Sequence, residues 1–167
     1  MMIISFKDKK PVIPDSVFVA ESANLIGDVR AGENCSFWYN VTVRGDIAPV
    51  ILGDNTNIQD NSVIHVGHDV PAVIGSNVTI GHSAIIHACT IEDNTLIGMG
   101  AIILDFAVIG KESIVGAGAL VTGGKKFPPR SLILGSPARR VRELTDEEIH
   151  GIYKNASSYV DILSDYR

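Results

Sequence analysis

The stretch from residue 91 to residue 116 reads IEDNTLIGMGAIILDFAVIGKESIVG, and a branched aliphatic residue recurs in it at every sixth position. The period is marked by Ile91, Ile97, Ile103, Ile109 and Val115. An interval of six fits neither an α-helix, with about 3.6 residues per turn, nor the simple alternation of a half-buried strand. The stretch therefore predicts an internal structural repeat.

The same period extends in both directions from this stretch. Its further positions are Val19, Leu25, Ala31, Phe37, Val43, Leu52, Ile58, Ile64, Ile74, Ile80, Ile86, Val121, Phe127 and Ile133. Each unit predicts one short strand and one corner, with the aliphatic side chain pointing into a narrow triangular prism and glycine giving the backbone freedom near the bend. Three units complete one turn, so successive turns should stack at about 4.8 Å. The pattern predicts an all-β domain over residues 1–140, a parallel β-helix of hexapeptide repeats.

Two insertions interrupt the repeat, at residues 46–51 and 66–73. Insertions in repeat proteins map to loops on one face, which is often the functional face. We therefore expect both segments to form loops.

The pattern changes after Pro137. Thr145 and Glu148 form a capping-box signature for the start of a helix. Helical spacing then follows at Ile149, Tyr153, Ala156, Val160 and Leu163. These features predict one amphipathic helix from residue 145 to about residue 165, packed on the prism within a C-terminal unit of residues 141–167.

Composition narrows the choice of partner and compartment. The chain has 167 residues, of which 46% are hydrophobic, and a formal net charge of −5. The acidic balance argues against nucleic acid or an anionic membrane as the main partner. The two cysteines do not form a disulfide framework, and the N-terminus does not resemble a signal peptide. We expect a cytoplasmic protein with reduced thiols.

Three histidines are placed by the repeat register. His65 and His87 both occupy the second position of a hexad and lie one turn apart, so they should stack on one edge and share a metal. His82 occupies a third position, on a different edge. Three prisms packed with parallel axes would bring His82 of one chain close to His65 and His87 of its neighbour. This arrangement predicts a homotrimer with metal sites at the subunit interfaces. Single surface histidines are usually only solvated, but three in so short a window, two of them in register, favour a metal.

Other polar residues fall on the same edges. Arg44 lies one turn before His65, and Asp60 lies one turn before His82. Across the predicted interface the two should be close, and a salt bridge there could hold the trimer and orient the site. An ordinary exposed ion pair of little energetic effect is the alternative. Asp46 follows closely enough to hold Arg44, and Gln59 occupies another second position.

Three segments together resemble the γ-class carbonic anhydrases: FWYNVTVRGD at residues 37–46, NIQD at residues 57–60 and GHSAIIH at residues 81–87. The resemblance spans nearly the whole chain and implies the left-handed form of the β-helix. It also implies a homotrimer that holds zinc, iron or cobalt through His65, His82 and His87. Metal-bound hydroxide would then attack carbon dioxide to give bicarbonate, which makes the protein a lyase of the carbonate dehydratase type.

The resemblance further implies roles for the surrounding polar residues. Gln59 would orient the metal-bound oxygen or the substrate through its amide. Arg44 and Asp46 would keep the interface in place, with Asp60 across from them.

A tyrosine of the C-terminal helix is also implied at the site. Tyr159 is similar to the family's helical tyrosine, and Tyr153, two residues before Asn155, is a competing match. The two tyrosines are six residues apart and so point to different sides of one helix. We favour Tyr159, because Tyr153 belongs to the predicted apolar stripe.

The sequence also departs from the family pattern. Ile47 stands where the archetype has a glutamate, and the loop of residues 66–72 lacks the family's glutamate proton shuttle. Proton transfer would then use buffer, Asp69, His68 or another route. Two alternatives stay open: a hexapeptide-repeat acyltransferase using coenzyme A, and a catalytically silent metal-binding trimer or scaffold.

Overall fold

The residues of the six-residue period form the core of the molecule. In a computed structural model of the protein, which describes residues 1–166, the side chains of this period are almost all fully buried. Val19, Ala31 and Phe127 are the partly buried members, and they pack against the core from its margins. The six-residue period therefore correctly predicts the parallel β-helix, and the burial of aliphatic surface stabilises it.

Three faces form the wall of the prism, with strands numbered along the chain. Face 1 contains β1 (Met2–Ile4), the first parts of β3 (Asn24–Arg30) and β5 (Thr42–Leu52), β7 (Val63–His65), β10 (Ile85–His87), β13 (Ile102–Ile103) and β16 (Leu120–Val121). Face 2 contains the second parts of β3 and β5, β8 (Ala72–Ile74), β11 (Thr90–Ile91), β14 (Val108–Ile109) and β17 (Lys126–Phe127). Face 3 contains β2 (Phe18–Val19), β4 (Ser36–Phe37), β6 (Asn57–Ile58), β9 (Thr79–Ile80), β12 (Leu96–Ile97), β15 (Ile114–Val115), β18 (Ser131–Gly135) and β19 (Ala138–Glu143).

The pairing of these strands is parallel throughout, except that β18 and β19 pair in the antiparallel sense. In the later turns the register follows the simple repeat, as where Ile103 pairs with Val121. In the earlier turns the inserted residues lengthen each turn, so that Ile64 pairs with Ile86. The core positions nevertheless stay aligned, because the insertions lie between core positions.

The two insertions behave differently. Residues 46–51 were expected to form a loop, and this expectation is wrong: they continue strand β5 across the corner from face 1 to face 2, where Val50 pairs with Ala72. Val50 and Ile51 pair in parallel with both β3 and β8, whereas residues 46–49 lie where the register with β3 shifts. The second insertion does form a turn, at residues 68–69, closed by an antiparallel bridge between Gly67 and Val70.

The glycines that directly follow the core aliphatic residues act by close approach and not by backbone freedom. Gly53, Gly75 and Gly98 do not have positive φ angles, contrary to the expectation of extra freedom at the bend. A Cβ atom built on Gly98 would lie 2.5 Å from the backbone nitrogen of Ala117 in the next turn. Here glycine is required because stacked corners leave no room for a side chain.

Asparagine, instead, occupies many corners in the left-handed conformation. Asn55, Asn77 and Asn94 have φ angles of 57°, 55° and 55°. Their side-chain amides form a ladder, in which Asn55 donates to Asn77 at 3.1 Å and Asn77 donates to Asn94 at 3.0 Å. Asparagine tolerates this conformation better than most residues, and the ladder ties successive turns together.

The C-terminal helix α1 (Asp146–Asp161) begins at the predicted capping box and continues into a 3₁₀ helix (Ile162–Asp165). Thr145 accepts from the Glu148 amide, and the Glu148 carboxylate accepts from the Thr145 amide. The buried stripe contains Ile149, Ile152 and Ala156. Tyr153 is 39% exposed, so its assignment to the stripe was wrong, and Ile152 takes that place. Between residues 1 and 166 no helix has the length and apolar character needed to cross a bilayer.

Candidate metal site

His65 and His87 meet at the ends of two neighbouring strands of face 1. They pair in register on β7 and β10, as the repeat predicts. Their rings are half-buried, and Nδ1 of His65 lies 3.2 Å from Nε2 of His87. The two imidazoles therefore present one nitrogen each to a shared space at the edge of the face.

A carboxylate holds the other nitrogen of each ring. Nε2 of His65 lies 3.0 Å from Oδ1 of Asp46, and Nδ1 of His87 lies 2.5 Å from Oδ1 of Asp105. Asp105 was not predicted from the sequence; in the register it follows Leu104, which occupies the position one turn beyond His87. Such carboxylate–imidazole pairs fix the tautomer and the orientation of a metal-ligating ring.

Asp46 connects His65 to Arg44. Its second carboxylate oxygen accepts a hydrogen bond from Nη1 of Arg44. Burial alone would raise the pKa of Asp46, but hydrogen bonds from His65 and Arg44 outweigh it and hold the pKa below its ordinary value. Asp46 therefore acts as an anion between the guanidinium and the imidazole.

His82 lies at the other edge of face 1, at the corner that follows β9. Its Nδ1 is 2.8 Å from Oδ2 of Asp60, whose Oδ1 accepts from the Tyr39 amide at 3.0 Å. Strand β10 separates His82 from His87 along the chain. Across the part of the chain that the structure describes, no three His, Cys, Asp or Glu side chains of a single chain converge on a point suited to a metal.

Tyr159 lies beside the His82 corner, whereas Tyr153 does not. A cavity of about 460 Å³ is lined by Tyr159 together with Trp38, Asp60 and His82. Burial and the nearby Asp60 carboxylate raise the pKa of Tyr159. The Tyr153 hydroxyl donates instead to Glu112 at 3.1 Å on another part of the surface.

The remaining candidates take separate positions. Gln59 is buried on face 3, where its amide donates to Oδ1 of Asn57 at 3.2 Å. His68 pairs with Asp69 at 2.8 Å in the exposed turn, and His150 is exposed on α1. Both cysteines are free, as the sequence suggested, and both are buried.

Curated relatives cover most of this chain. It is 48% identical over 161 residues to gamma carbonic anhydrase 1, mitochondrial, of Arabidopsis thaliana, an alignment that covers 93% of this chain and 58% of that protein. It is 46% identical to the carbonic anhydrase of Geobacillus kaustophilus, with coverage of 96% and 88%. It is 50% identical to a probable carbonic anhydrase of Methanocaldococcus jannaschii, with coverage of 90% and 95%. The chain thus spans less than two thirds of the Arabidopsis protein.

The repeat and the fold are shared with proteins named as transferases. Residues 88–123 match the family described as bacterial transferase hexapeptide (six repeats). A putative acetyltransferase of Bacillus cereus has a TM-score of 0.97 at 44% identity, covering 99% of this chain and 96% of that one. An acetyltransferase of Vibrio cholerae, solved with acetyl coenzyme A, has a TM-score of 0.60 at 28% identity and covers 69% and 70%.

Proposed function

Because the chain belongs to the γ-class carbonic anhydrase family of hexapeptide-repeat proteins, we propose that it is a metal-dependent lyase that hydrates carbon dioxide reversibly to bicarbonate. One observation carries this proposal: the facing nitrogens of His65 and His87 lie 3.2 Å apart while each ring donates to a carboxylate from its other nitrogen. With those tautomers both facing nitrogens carry lone pairs. Facing lone pairs repel each other, and a cation bound by both would relieve the repulsion.

The spacing of these nitrogens suits a metal. Two imidazole nitrogens bound tetrahedrally to one zinc ion at 2.0–2.1 Å lie about 3.4 Å apart, close to the observed separation. Neutral imidazoles are ligands for zinc, iron and cobalt. We propose Zn²⁺ as the resident metal, with Fe²⁺ and Co²⁺ as the alternatives that loading experiments should compare.

His82 is the proposed third ligand, donated by a neighbouring copy of the chain. Within one chain the two edges of face 1 are separated by strand β10, at roughly 3.3 Å per residue, so His82 cannot join His87 at one ion. Its Nδ1 is held by Asp60, which leaves Nε2 for a ligand. A homotrimer of parallel prisms would bring the two edges together at three equivalent interfaces.

An apolar surface on face 1 supports this assembly. Val63 and Ile85, which begin the same strands that end in His65 and His87, are 38% and 41% exposed. Isolated exposed aliphatic residues are common, but these two are neighbours in register. Burying them against a second chain would remove apolar surface from water.

The roles of the chain's own residues follow from their contacts. A metal bound here would lower the pKa of a coordinated water to about 7 and so supply hydroxide at neutral pH. Asp46, Asp60 and Asp105 keep the three imidazoles in the tautomers that present a lone pair. Arg44 holds Asp46 in place. Gln59 and Tyr159 are proposed to orient the substrate from the His82 side.

An acyltransferase activity is the second candidate, favoured by the similarity in fold to the Bacillus cereus putative acetyltransferase. It needs no metal and predicts binding of coenzyme A. Tight binding of acetyl coenzyme A by the metal-free protein, with acyl transfer to an acceptor, would support this candidate over hydration.

The test combines metal analysis with stopped-flow hydration of carbon dioxide. Protein loaded anaerobically with Zn²⁺, Fe²⁺ or Co²⁺ should hold about one metal per chain, as expected for a three-histidine site, and should show saturable hydration. His82→Ala should lose both properties, whereas His150→Ala, which removes an exposed helical histidine, should keep both. Full metal content in His82→Ala would contradict the shared site. Full metal occupancy of the wild-type protein, without carbon dioxide hydration above the rate in buffer alone, would instead support a metal-binding scaffold.

A further inference from the structure

Two corners of the prism carry large apolar side chains that are exposed to solvent. Met99 and Phe106 each have 62% of their surface exposed. They come before and after strand β13 (Ile102–Ile103), so they lie at opposite edges of face 1. A single exposed apolar side chain needs no explanation. These two, however, occupy related positions in the repeat.

The register places both residues one turn beyond the proposed metal ligands. The amide that follows Met99 donates to the His82 carbonyl at 2.8 Å, so Met99 lies one turn beyond His82. The Phe106 amide donates at 2.8 Å to the carbonyl of Ala88, the residue after His87. Phe106 therefore lies one turn beyond the His87 corner, as Met99 lies one turn beyond the His82 corner.

The backbone at Phe106 does not favour an aromatic residue. Its φ angle of 62° is in the left-handed region, which bulky side chains rarely adopt. Ala88 and Gly124 occupy the same corner in the turns before and after, with φ angles of 46° and 71°. Small residues thus suffice at this corner, and the exposed ring adds little burial within its own chain. A contact outside the chain would account for it.

The proposed trimer supplies such a contact. Threefold rotation about an axis parallel to the prisms keeps each residue at its height along the prism. If the His82 edge of one chain meets the His87 edge of its neighbour, the corners one turn further along must meet as well. Methionine sulfur makes favourable contacts with aromatic rings.

The surface between the two corners is also apolar. Ile102 is half-buried and pairs in register with the exposed Ile85 of the proposed interface. Met99 and Phe106 therefore extend the apolar surface of face 1 to both of its edges. A second copy of the chain, which presents the complementary edge at the same height, fits this surface.

We propose that Phe106 of one chain packs against Met99 of a neighbouring chain and that this contact holds the two histidine edges together. The inference rests on the proposed function, since it uses the same subunit interface. It adds one apolar contact at each of the three interfaces, one turn beyond the histidines.

Cross-linking tests whether the two positions meet between chains. The full-length chain carrying both Met99→Cys and Phe106→Cys is treated with a short bismaleimide, which should give covalent trimers on a denaturing gel. Face 1 separates the two new thiols within one chain, so the reagent should link different chains. The native thiols of Cys35 and Cys89 are buried. Each single substitution is a control and should give monomers only.

The outcomes separate this contact from the function it rests on. Monomers only, from a double variant that light scattering shows to be trimeric, would overturn the contact and leave the proposed function intact. A wild-type protein that is monomeric in light scattering would overturn the shared metal site and the contact together.

A second substitution tests whether the contact stabilises the assembly. Phe106→Gly should weaken trimer formation by about tenfold per interface, measured by light scattering on dilution. Circular dichroism should show a folded chain, because glycine adopts the left-handed conformation without strain. Val12→Ala is the matched control, since Val12 is 64% exposed but bridges to Arg30 on face 2, and it should leave assembly unchanged. Unchanged assembly of folded Phe106→Gly would contradict the proposal.

Discussion

At the scale of single residues, the stacking of corners decides which side chains are allowed. A Cβ atom built on Gly75 would lie 2.7 Å from the backbone nitrogen of Asp93, whereas a Cβ atom built on Gly151 in helix α1 would have no atom within 4 Å. The two glycines look alike in the sequence, yet one is required by the approach of the next turn and the other only weakens a helix.

We expect Gly75→Ala to lower the free energy of unfolding by about 1–3 kcal/mol, because the methyl group overpacks a backbone contact that cannot move away. Gly151→Ala should raise it by up to about 1 kcal/mol, since alanine favours the helix and open space surrounds the site. Denaturant titrations followed by circular dichroism measure both. A neutral Gly75→Ala would show that the corners can separate.

The two cysteines carry a second prediction at this scale. Burial raises the pKa of the Cys35 thiol to about 11 and that of the Cys89 thiol to about 12. Both groups are therefore protonated thiols at pH 8 and shielded from reagents, and only the thiolate is a good nucleophile. Iodoacetamide should modify neither cysteine in the folded protein and both after unfolding, as mass spectrometry would show. Rapid alkylation of either thiol in native protein would contradict its burial.

At the scale of elements, helix α1 is fastened to the last turns of the prism through its first turn. Arg142 of β19 forms two hydrogen bonds of 2.7 Å with the Glu148 carboxylate, which also closes the capping box. The hydrogen bonds from Arg142, which have the largest effect, and from the Thr145 amide, which has the next largest, lower the pKa of Glu148 from 4.5 to about 2. One side chain therefore links strand, cap and helix.

Because of this link, the stability of helix α1 depends on pH in the acidic range. Because the pKa of Glu148 is lower in the folded state, its stabilising contribution is complete above about pH 4.5 and is lost as the pH falls toward 2. The melting temperature of the wild type should fall over this range more than that of Glu148→Gln, which lacks the titrating group. Parallel pH profiles for the two proteins would contradict the link.

At the scale of the whole molecule, a single chain supplies only part of each proposed metal site. Face 1 carries two histidines at one edge and the third at the other, with exposed Val63 and Ile85 between them. In a closed homotrimer, face 1 of each chain would pack against a neighbouring chain. This packing would bring the three histidines together and bury Val63 and Ile85 at the same time.

Ile85→Lys should therefore convert a trimer into monomers and reduce the metal content together with it, because a charged side chain in the interface is costly to bury. Val141→Lys, at a 58% exposed position on β19, is the matched control and should change neither property. Size-exclusion chromatography with light scattering and metal analysis give the two readouts. A trimeric Ile85→Lys protein with full metal content would place the interface elsewhere.

The sequence by itself determined the prism, its core and the placing of His65 above His87, because a six-residue period converts position along the chain directly into face and height. It also determined the capping box, which depends on residues only three apart. The tertiary structure alone decided the pairing of Asp105 with His87 and the position of Tyr159 beside the His82 corner, since both depend on how separate turns and the helix approach each other. The tertiary structure also decided that the glycines after the core positions serve close packing and that residues 46–51 extend a strand. Contacts with the neighbouring turn determine both features, and local spacing along the chain does not encode those contacts.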